Sequence, residues 1–336
     1  MEKLSSRIRA ASGFALAARG DHLSPMKCMS DKALRAGLFL LGCVLFQLPE
    51  SAQAQTAAAR QAARYWAPVE AALGRKGTPS AGGVMRFAFP RTDLTVVAKG
   101  VTVKAPFALG SWIAFQRMRD HAMLMGDLVL LESEVTEVLA SLQQNGIEQT
   151  ALHNHLIGEA PRVMYMHIRA IGNAERIARA VRTALEFSGT PITTPAAAPA
   201  PTPDAPLTLD TAGISNAMRL KGKLNGGVYQ FSIPRREKIK EDKIEIPPAM
   251  GVATAINFQS TGATKAAVTG DFVLLRRELN SVIWSLTENG IEVTAIHSHM
   301  TGEEPRLFFL HFWANDDAVK LARGLRAALN QVGTPR

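Results

Sequence analysis

Residues Ala151 to His167 read ALHNHLIGEAPRVMYMH, and residues Ala295 to His311 read AIHSHMTGEEPRLFFLH. A shift of 144 positions lands His153, His155 and His167 on His297, His299 and His311, Glu159 on Glu303, and Pro161-Arg162 on Pro305-Arg306. Six of the eight histidines in the chain fall in these two stretches, so the sequence carries an internal duplication whose period organises everything else. The same offset joins Gly82-Gly83-Val84 to Gly226-Gly227-Val228, Pro90-Arg91 to Pro234-Arg235, and Gly126-Asp127 to Gly270-Asp271. Both copies close on Gly-Thr-Pro, at Gly189 and Gly333. The expected organisation is an N-terminal extension and signal peptide over 1–54, a first repeat over 58–191, a Pro/Ala-rich spacer over 192–206 and a second repeat over 207–336. The spacer, ITTPAAAPAPTPDAP, has little to bury and favours an extended chain.

Within a repeat the pattern predicts β-β-β-β-α-β-β-α, an α+β fold. Val84 to Phe89 and Leu94 to Val103 alternate like the arms of a hairpin, and Ser111 to Gln116 and Met123 to Glu132 are apolar runs bounded by turn residues. Ser133 is placed to cap a helix whose inner face carries Val135, Val138, Leu139 and Leu142, ending at Asn145-Gly146. Ile147 to Leu156 and Val163 to Arg169 follow as strands, then Asn173 caps a last helix with Ile177, Ala178, Val181 and Leu185 inward. The order β-α-β-β-α from Met123 onward is most of a ferredoxin-like sandwich, the remaining strand being supplied by the first hairpin.

Alternation along a strand puts His153 and His155 on one face, together with Ala151 and Ile147. An antiparallel register pairing residue 153 with 167 and 155 with 165 brings His167 to the same face. Three imidazoles within reach of one ion, with an open position, suit a divalent metal such as Zn, Fe, Ni or Cu at ~2.1 Å. The expected ligands are His153, His155 and His167 in the first repeat and His297, His299 and His311 in the second, one site per domain. Asp127 and Asp271 are candidate ligands or orienting carboxylates, and a bulge or turn after the preceding glycine is the alternative for them. Glu159 and Glu303 are candidates for a further ligand or a general base, against an ordinary solvated turn. A histidine row can equally be a hydrogen-bonded polar face. Arg162 and Arg306 read as loop braces, the stripes Arg176/Arg179/Arg182 and Lys320/Arg323/Arg326 as solvated helix faces, and Arg235 to Glu245 as a solvated hairpin tip.

Upstream, Lys27, Lys32 and Arg35 precede the apolar run from Ala36 to Phe46, and Ala52-Gln53-Ala54 supplies small residues for cleavage after Ala54. That is the layout of a secretory signal, too short to span a bilayer. Leu40-Leu41-Gly42-Cys43 offers a competing lipidation point, a lipid anchor at Cys43. Cleavage after Ala54 removes Cys28 and Cys43, the only cysteines, so disulfide and thiolate chemistry are excluded from the remainder. That remainder holds 31 Lys+Arg against 25 Asp+Glu, a net of +6, with no basic stretch interleaved with aromatics. Nucleic acid is therefore not an expected partner, and a small ligand or cell-envelope component is.

The strings MGDLVL, NGIEQTALHNHLIGEAPRVMYMHI, TGDFVLL and NGIEVTAIHSHMTGEEPRLFFLHF resemble the LppY/LpqO lipoprotein-like family over essentially all of both repeats. The resemblance implies an exported bacterial protein and adds no reaction. A separate, weaker likeness, to lysostaphin-type zinc endopeptidases, would use His121, Asp127 and His155 as ligands and His153 as base, and only in the first repeat, since Lys265 takes the corresponding place in the second. The functional expectation is an exported, periplasmic or envelope-associated two-repeat protein binding a divalent metal or small ligand. The alternative is a metal-dependent hydrolase of an envelope substrate such as peptidoglycan, with Glu159 activating water.

Overall fold

The computed structural model describes residues 50–193 and 209–333. Cys43, most of the signal segment and most of the spacer lie outside the described residues. The first repeat runs α1 (Glu50–Leu73), β1 (Thr78–Ser80), β2 (Val84–Pro90), β3 (Val96–Ala98), β4 (Val101–Val103), α2 (Ala105–Ala108), β5 (Gly110–Arg117), β6 (Ala122–Leu131), α3 (Val135–Gln144), β7 (Glu148–His153), β8 (Glu159–Ala160), β9 (Val163–Gly172) and α4 (Ala174–Leu185). The second runs α5 (Thr211–Met218), β10 (Lys223–Asn225), β11 (Val228–Pro234), β12 (Ile239–Glu241), β13 (Ile244–Ile246), β14 (Ala253–Ser260), β15 (Lys265–Leu275), α6 (Leu279–Glu288), β16 (Glu292–His297), β17 (Glu303–Glu304), β18 (Leu307–Asp317) and α7 (Ala318–Leu329). A 3-10 turn, Pro248–Met250, stands where the first repeat has α2. Each repeat is thus an α+β domain, and adding nine to a strand number gives its counterpart.

Each repeat holds a six-stranded antiparallel sheet, ordered β1-β2-β5-β6-β9-β7 and β10-β11-β14-β15-β18-β16. One face of the first sheet, carrying Phe87, Phe115, Leu128, Leu130 and Ile168, packs under α1, α3 and α4 through Trp66, Leu73, Val138, Leu142 and Val181. The second sheet does the same with α5, α6 and α7. Alternation leaves the opposite face of each sheet to be covered, and the other repeat covers it. Two mixed apolar clusters form there: Met123 and Met125 with Ile239, Ile246 and Met250, and Phe107 and Leu109 with Val228, Ala267 and Trp313. Residues 53–336 accordingly form one compact unit. The repeats also exchange hydrogen bonds, Asn257 Nδ2 donating to Phe107 O at 2.9 Å and Gln230 Nε2 to Pro106 O at 2.7 Å.

Several local expectations are corrected. The stretch 94–103 does not join the large sheet; it folds back as β3 and β4, and β3 pairs with β8 to make a separate three-stranded sheet. Ser133 is not the cap of α3. It lies in a 3-10 turn in which the Glu134 carboxylate accepts Leu131 N–H at 2.8 Å. Asn173 does cap α4, its side chain accepting Arg176 N–H. The run from Arg235 to Glu245 is not a solvated tip, because β12 pairs with β13 on one side and β17 on the other, and Ile239, Glu241 and Ile246 are buried. Arg235 and its counterpart Arg91 are buried pins. Arg91 Nη1 donates to Glu134 at 2.7 Å and to Val129 O at 2.8 Å, while Arg235 Nη1 donates to Glu278 at 2.8 Å and to Val273 O at 2.7 Å.

Candidate metal centre

The observed register pairs His153 with Tyr165 and Ala151 with His167, and in the second copy His297 with Phe309 and Ala295 with His311. This lies two residues from the expected pairing of 153 with 167. The parity is the same, so His153 and His167 still share a face. Ile147 does not join them. A bulge between Gln149 and Ala151, repeated between Val293 and Ala295, reverses the parity upstream and sends Ile147 into the core beneath the helices. β7 ends at His153, and His155 reaches the cluster from the following loop, its ring stacked on Tyr165 at 3.3 Å between centroids.

The covered faces of the two sheets meet at these histidines. His153 stacks on His297 at 3.6 Å, His155 on His311 at 3.7 Å and His167 on His299 at 3.6 Å. The last two pairs exchange under the duplication and the first maps onto itself, so a pseudo-twofold axis passes between His153 and His297. The expectation of one separate site per domain is therefore corrected: six imidazoles form a single cluster between the repeats. Asp127 sits directly across from His167 in the β6–β9 pairing, and Asp271 across from His311 in β15–β18. Neither aspartate lies at a bulge or turn. Each follows a glycine in mid-strand, and a Cβ on Gly270 would come within 2.0 Å of Ala255 O. Gly270 also offers its carbonyl to His311 Nδ1 at 2.8 Å.

Potential ligand atoms converge in four overlapping groups, each within 4.8 Å: Asp127/His155/His167, Asp271/His299/His311, His153/His155/His311 and His153/His167/His297/His299. The first two are each a two-histidine, one-carboxylate set. Asp127 Oδ1 lies 3.8 Å from His167 Nε2, and Asp271 Oδ2 lies 3.5 Å from His299 Nε2. Several ring orientations are set from behind, as ligand histidines usually are. His311 donates Nδ1–H to Gly270 O and His153 donates Nδ1–H to Asn154 O at 3.1 Å, leaving both Nε2 atoms turned to the cluster. His297 and His299 bring their Nε2 atoms to 2.8 Å, closer than the ~3.4 Å of two tetrahedral ligands at ~2.1 Å, so one donates to the other.

Among the described residues, ten buried side-chain atoms lack a hydrogen-bond partner, and seven of them belong to this cluster: Asp127 Oδ1, Asp271 Oδ1, the Nε2 atoms of His153, His155, His167 and His311, and His297 Nδ1. Buried polar atoms are normally satisfied, so such a concentration at one point is a cavity's worth of missing partners. Burial pushes the titrations in the same sense. It lowers His153 to about 4 and His311 to about 3, and holds His155, His167 and His299 well below the usual imidazole range, with the other rings adding to the effect. Neutral rings keep the lone pair that a metal takes. Burial raises Asp127 to about 8 against the opposing pull of Arg86, and raises Asp271 through burial and the neighbouring Asp127.

Glu159 and Glu303 belong to none of the four groups. Both are buried in the small sheets, and Glu303 accepts Leu307 N–H at 3.0 Å and pairs with Arg306 at 3.1 Å. Arg306 thus braces its loop, and Arg162 lies 3.5 Å from exposed Glu132. His121 is exposed in the turn between β5 and β6, outside the cluster, so the endopeptidase-like set of His121, Asp127 and His155 is not assembled. Tyr165 and Phe309, which back His155 and His299, were readable from alternation with the histidines two residues on. Arg86 and Trp112 also line the cleft beside the cluster. The signal for Arg86 was a lone charge inside an apolar strand.

The protein is thus of a class defined by two tandem α+β repeats, packed face to face around one histidine and carboxylate cluster. It belongs to the family described as Domain of Unknown Function (DUF1259), which matches residues 67–187 and again 212–331. No curated protein matches the chain. Among solved structures it is similar to a trimeric bacterial microcompartment shell protein, PduB, at 11% identity over 76% of this chain and 89% of that one, with a TM-score of 0.19. EtuB from Clostridium kluyveri matches at 9% identity over 75% and 90%, with a TM-score of 0.17. Likenesses this slight carry no argument about fold or assembly.

Proposed function

We propose that the protein is a metal-binding module whose centre is shared by its two repeats, with Asp127/His155/His167 and Asp271/His299/His311 as matched ligand sets and His153 and His297 between them. The observation that carries the reading is the convergence of unpartnered, buried imidazole nitrogens and carboxylate oxygens on one place. Imidazole with one carboxylate per set favours a first-row ion such as Fe(II), Zn or Mn over Mg or Ca, which prefer all-oxygen shells. Metal-assisted hydrolysis with Glu159 as base has less support, because Glu159 stands outside the ligand groups. We further read β5, β6, β9 and β7 with α3 and α4 as a ferredoxin-like core in which the preceding strand β5 takes the place of the last one. The location is read as exported, in keeping with the basic and apolar segment before Ala54 and with the likeness to lipoprotein-like proteins. The test is the metal content of purified protein. Up to two ions per chain are expected, and a His155→Ala/His299→Ala variant should lose both. Purified protein that takes up no first-row ion after chelation and reloading would sink the reading.

A further inference from the structure

The cleft beside the cluster is not symmetric, although the cluster is. Its volume is about 450 Å3, the size of a site for a small molecule. Asp127, His155, His167, Asp271, His299 and His311 all line it, whereas His153 and His297 do not. The two carboxylate-bearing sets therefore face the cleft, and a metal held on them would be within reach of a molecule bound there.

Arg86 and Trp112 stand on another part of the wall. The Arg86 guanidinium lies 4.1 Å over the Trp112 ring, donates Nη1–H to Ala249 O across the repeat interface, and is near enough to Asp127 to act on its charge. The bond to Ala249 uses one of five donors. Among the described residues lining the cleft, Arg86 is the one Lys or Arg. The duplication supplies an internal control. Sheet pairing sets Gln230 against Arg86 and, one residue short of the 144 offset, Ala255 against Trp112, since Trp112 pairs with Asp127 and Ala255 with Asp271; Gln230 is engaged with Pro106 O and Asn225. A guanidinium needed only to brace the fold would be expected in both copies. Here it stands in one, held flat by an indole that is also in one.

Charge gives the ligand its sign. One divalent ion balances Asp127 and Asp271, and Arg86 then remains uncompensated; a second ion adds two further positive charges. A partly buried excess of positive charge calls for an anion, and a planar guanidinium fork fits the oxygens of a carboxylate or phosphate. We propose that the cleft binds a small oxyanion-bearing molecule, its head group held between Arg86 and the metal on the histidine and aspartate sets. This rests on the metal reading above.

The test loads the full chain with Co(II), titrates it with acetate in one arm and inorganic phosphate in the other, and follows the visible cobalt spectrum. A saturable spectral change with at least one anion is expected, and the arm that responds distinguishes the head group. Arg86→Gln, which installs the second copy's residue, should keep the cobalt content and melting temperature while weakening the anion by about 10- to 100-fold. Arg86→Lys keeps the charge without the fork and should show a smaller loss; it serves if the glutamine variant does not fold. Unchanged anion affinity in a folded, cobalt-loaded Arg86 variant overturns the proposal, as does a loaded wild type that responds to neither anion. A wild type that takes up no cobalt overturns the metal reading and this inference together.

Discussion

Replacing Glu278 with glutamine removes one charge from the most enclosed ion pair of the second repeat. Arg235 and Glu278 expose only 1% and 6% of their side chains, and the Glu278 carboxylate also accepts Leu275 N–H at 2.9 Å and Gly333 N–H at 3.1 Å. Breaking a buried pair typically costs about 3–5 kcal/mol, because the surviving charge is stranded. Here Glu237 stays on Arg235 at 2.9 Å, so the lower end, about 3 kcal/mol, is expected. Unfolding a unit the size of residues 53–336 carries an entropy near ~0.6 kcal/mol/K, which converts the loss to a fall in Tm of ~5 °C. The assay is calorimetry on metal-free protein. Because each repeat covers the other's open sheet face, one transition should move as a whole, although only the second repeat was altered. Two transitions, with the first repeat's melting unmoved, would refute the shared core; a shift under ~1 °C would refute the role of the pin.

Since His299 stacks on His167 of the other set, His299→Ala alone should weaken metal held by Asp127/His155/His167 as well as by its own set; a clean drop to half stoichiometry with unchanged affinity of the rest would argue for independent sites. For metal-free protein, imidazoles lowered to about 4 at His153 and about 3 at His311, from 6.5, lose protons on folding, so stability should fall as pH drops below ~6.5. Asp127, raised from 3.8 to about 8, gains a proton on folding, so stability should also fall as pH rises towards 8, and metal should abolish that alkaline fall; a Tm flat from pH 4 to 8 without metal would contradict both. Glu159→Gln and His121→Ala should leave metal stoichiometry unchanged, and a loss in either would return that residue to the site. Residues 26 to 60 fused to a reporter should carry it across the inner membrane, and retention in the cytoplasm would defeat the export reading.

The duplication was legible because its landmarks are residues with backbone or chemical duties, such as Gly126-Asp127 and the histidines. Sheet face was legible for the same reason that register was not. Parity depends only on whether the pairing sum is even, whereas the pairing itself depends on how much chain the loop from Asn154 to Arg162 consumes. That loop includes β8, which leaves to pair with β3, and no periodicity marks a two-residue strand. The bulges before Ala151 and Ala295 were hidden too, since an extra residue in a strand does not change composition. Arg235 read as surface charge, and Arg91 only as a repeat landmark, because a single sequence does not reveal that Glu278 and Glu134, forty-three positions on, close over them. The meeting of the repeats was beyond reach: Met123 and Met125 read as part of an apolar strand and Ile239 as part of a solvated tip, and nothing in their spacing says that they share a core.

The pseudo-twofold axis between His153 and His297 has an evolutionary corollary. A chain with a single repeat would own one complete carboxylate-bearing set but would leave its rings unstacked and its sheet face bare; two copies docking isologously would each cover the other's. Joining two such copies in one gene releases them from identity. One half can then change Arg86 to Gln or Trp112 to Ala without its twin following, and an ancestral pair of equal entrances can become one entrance and one wall.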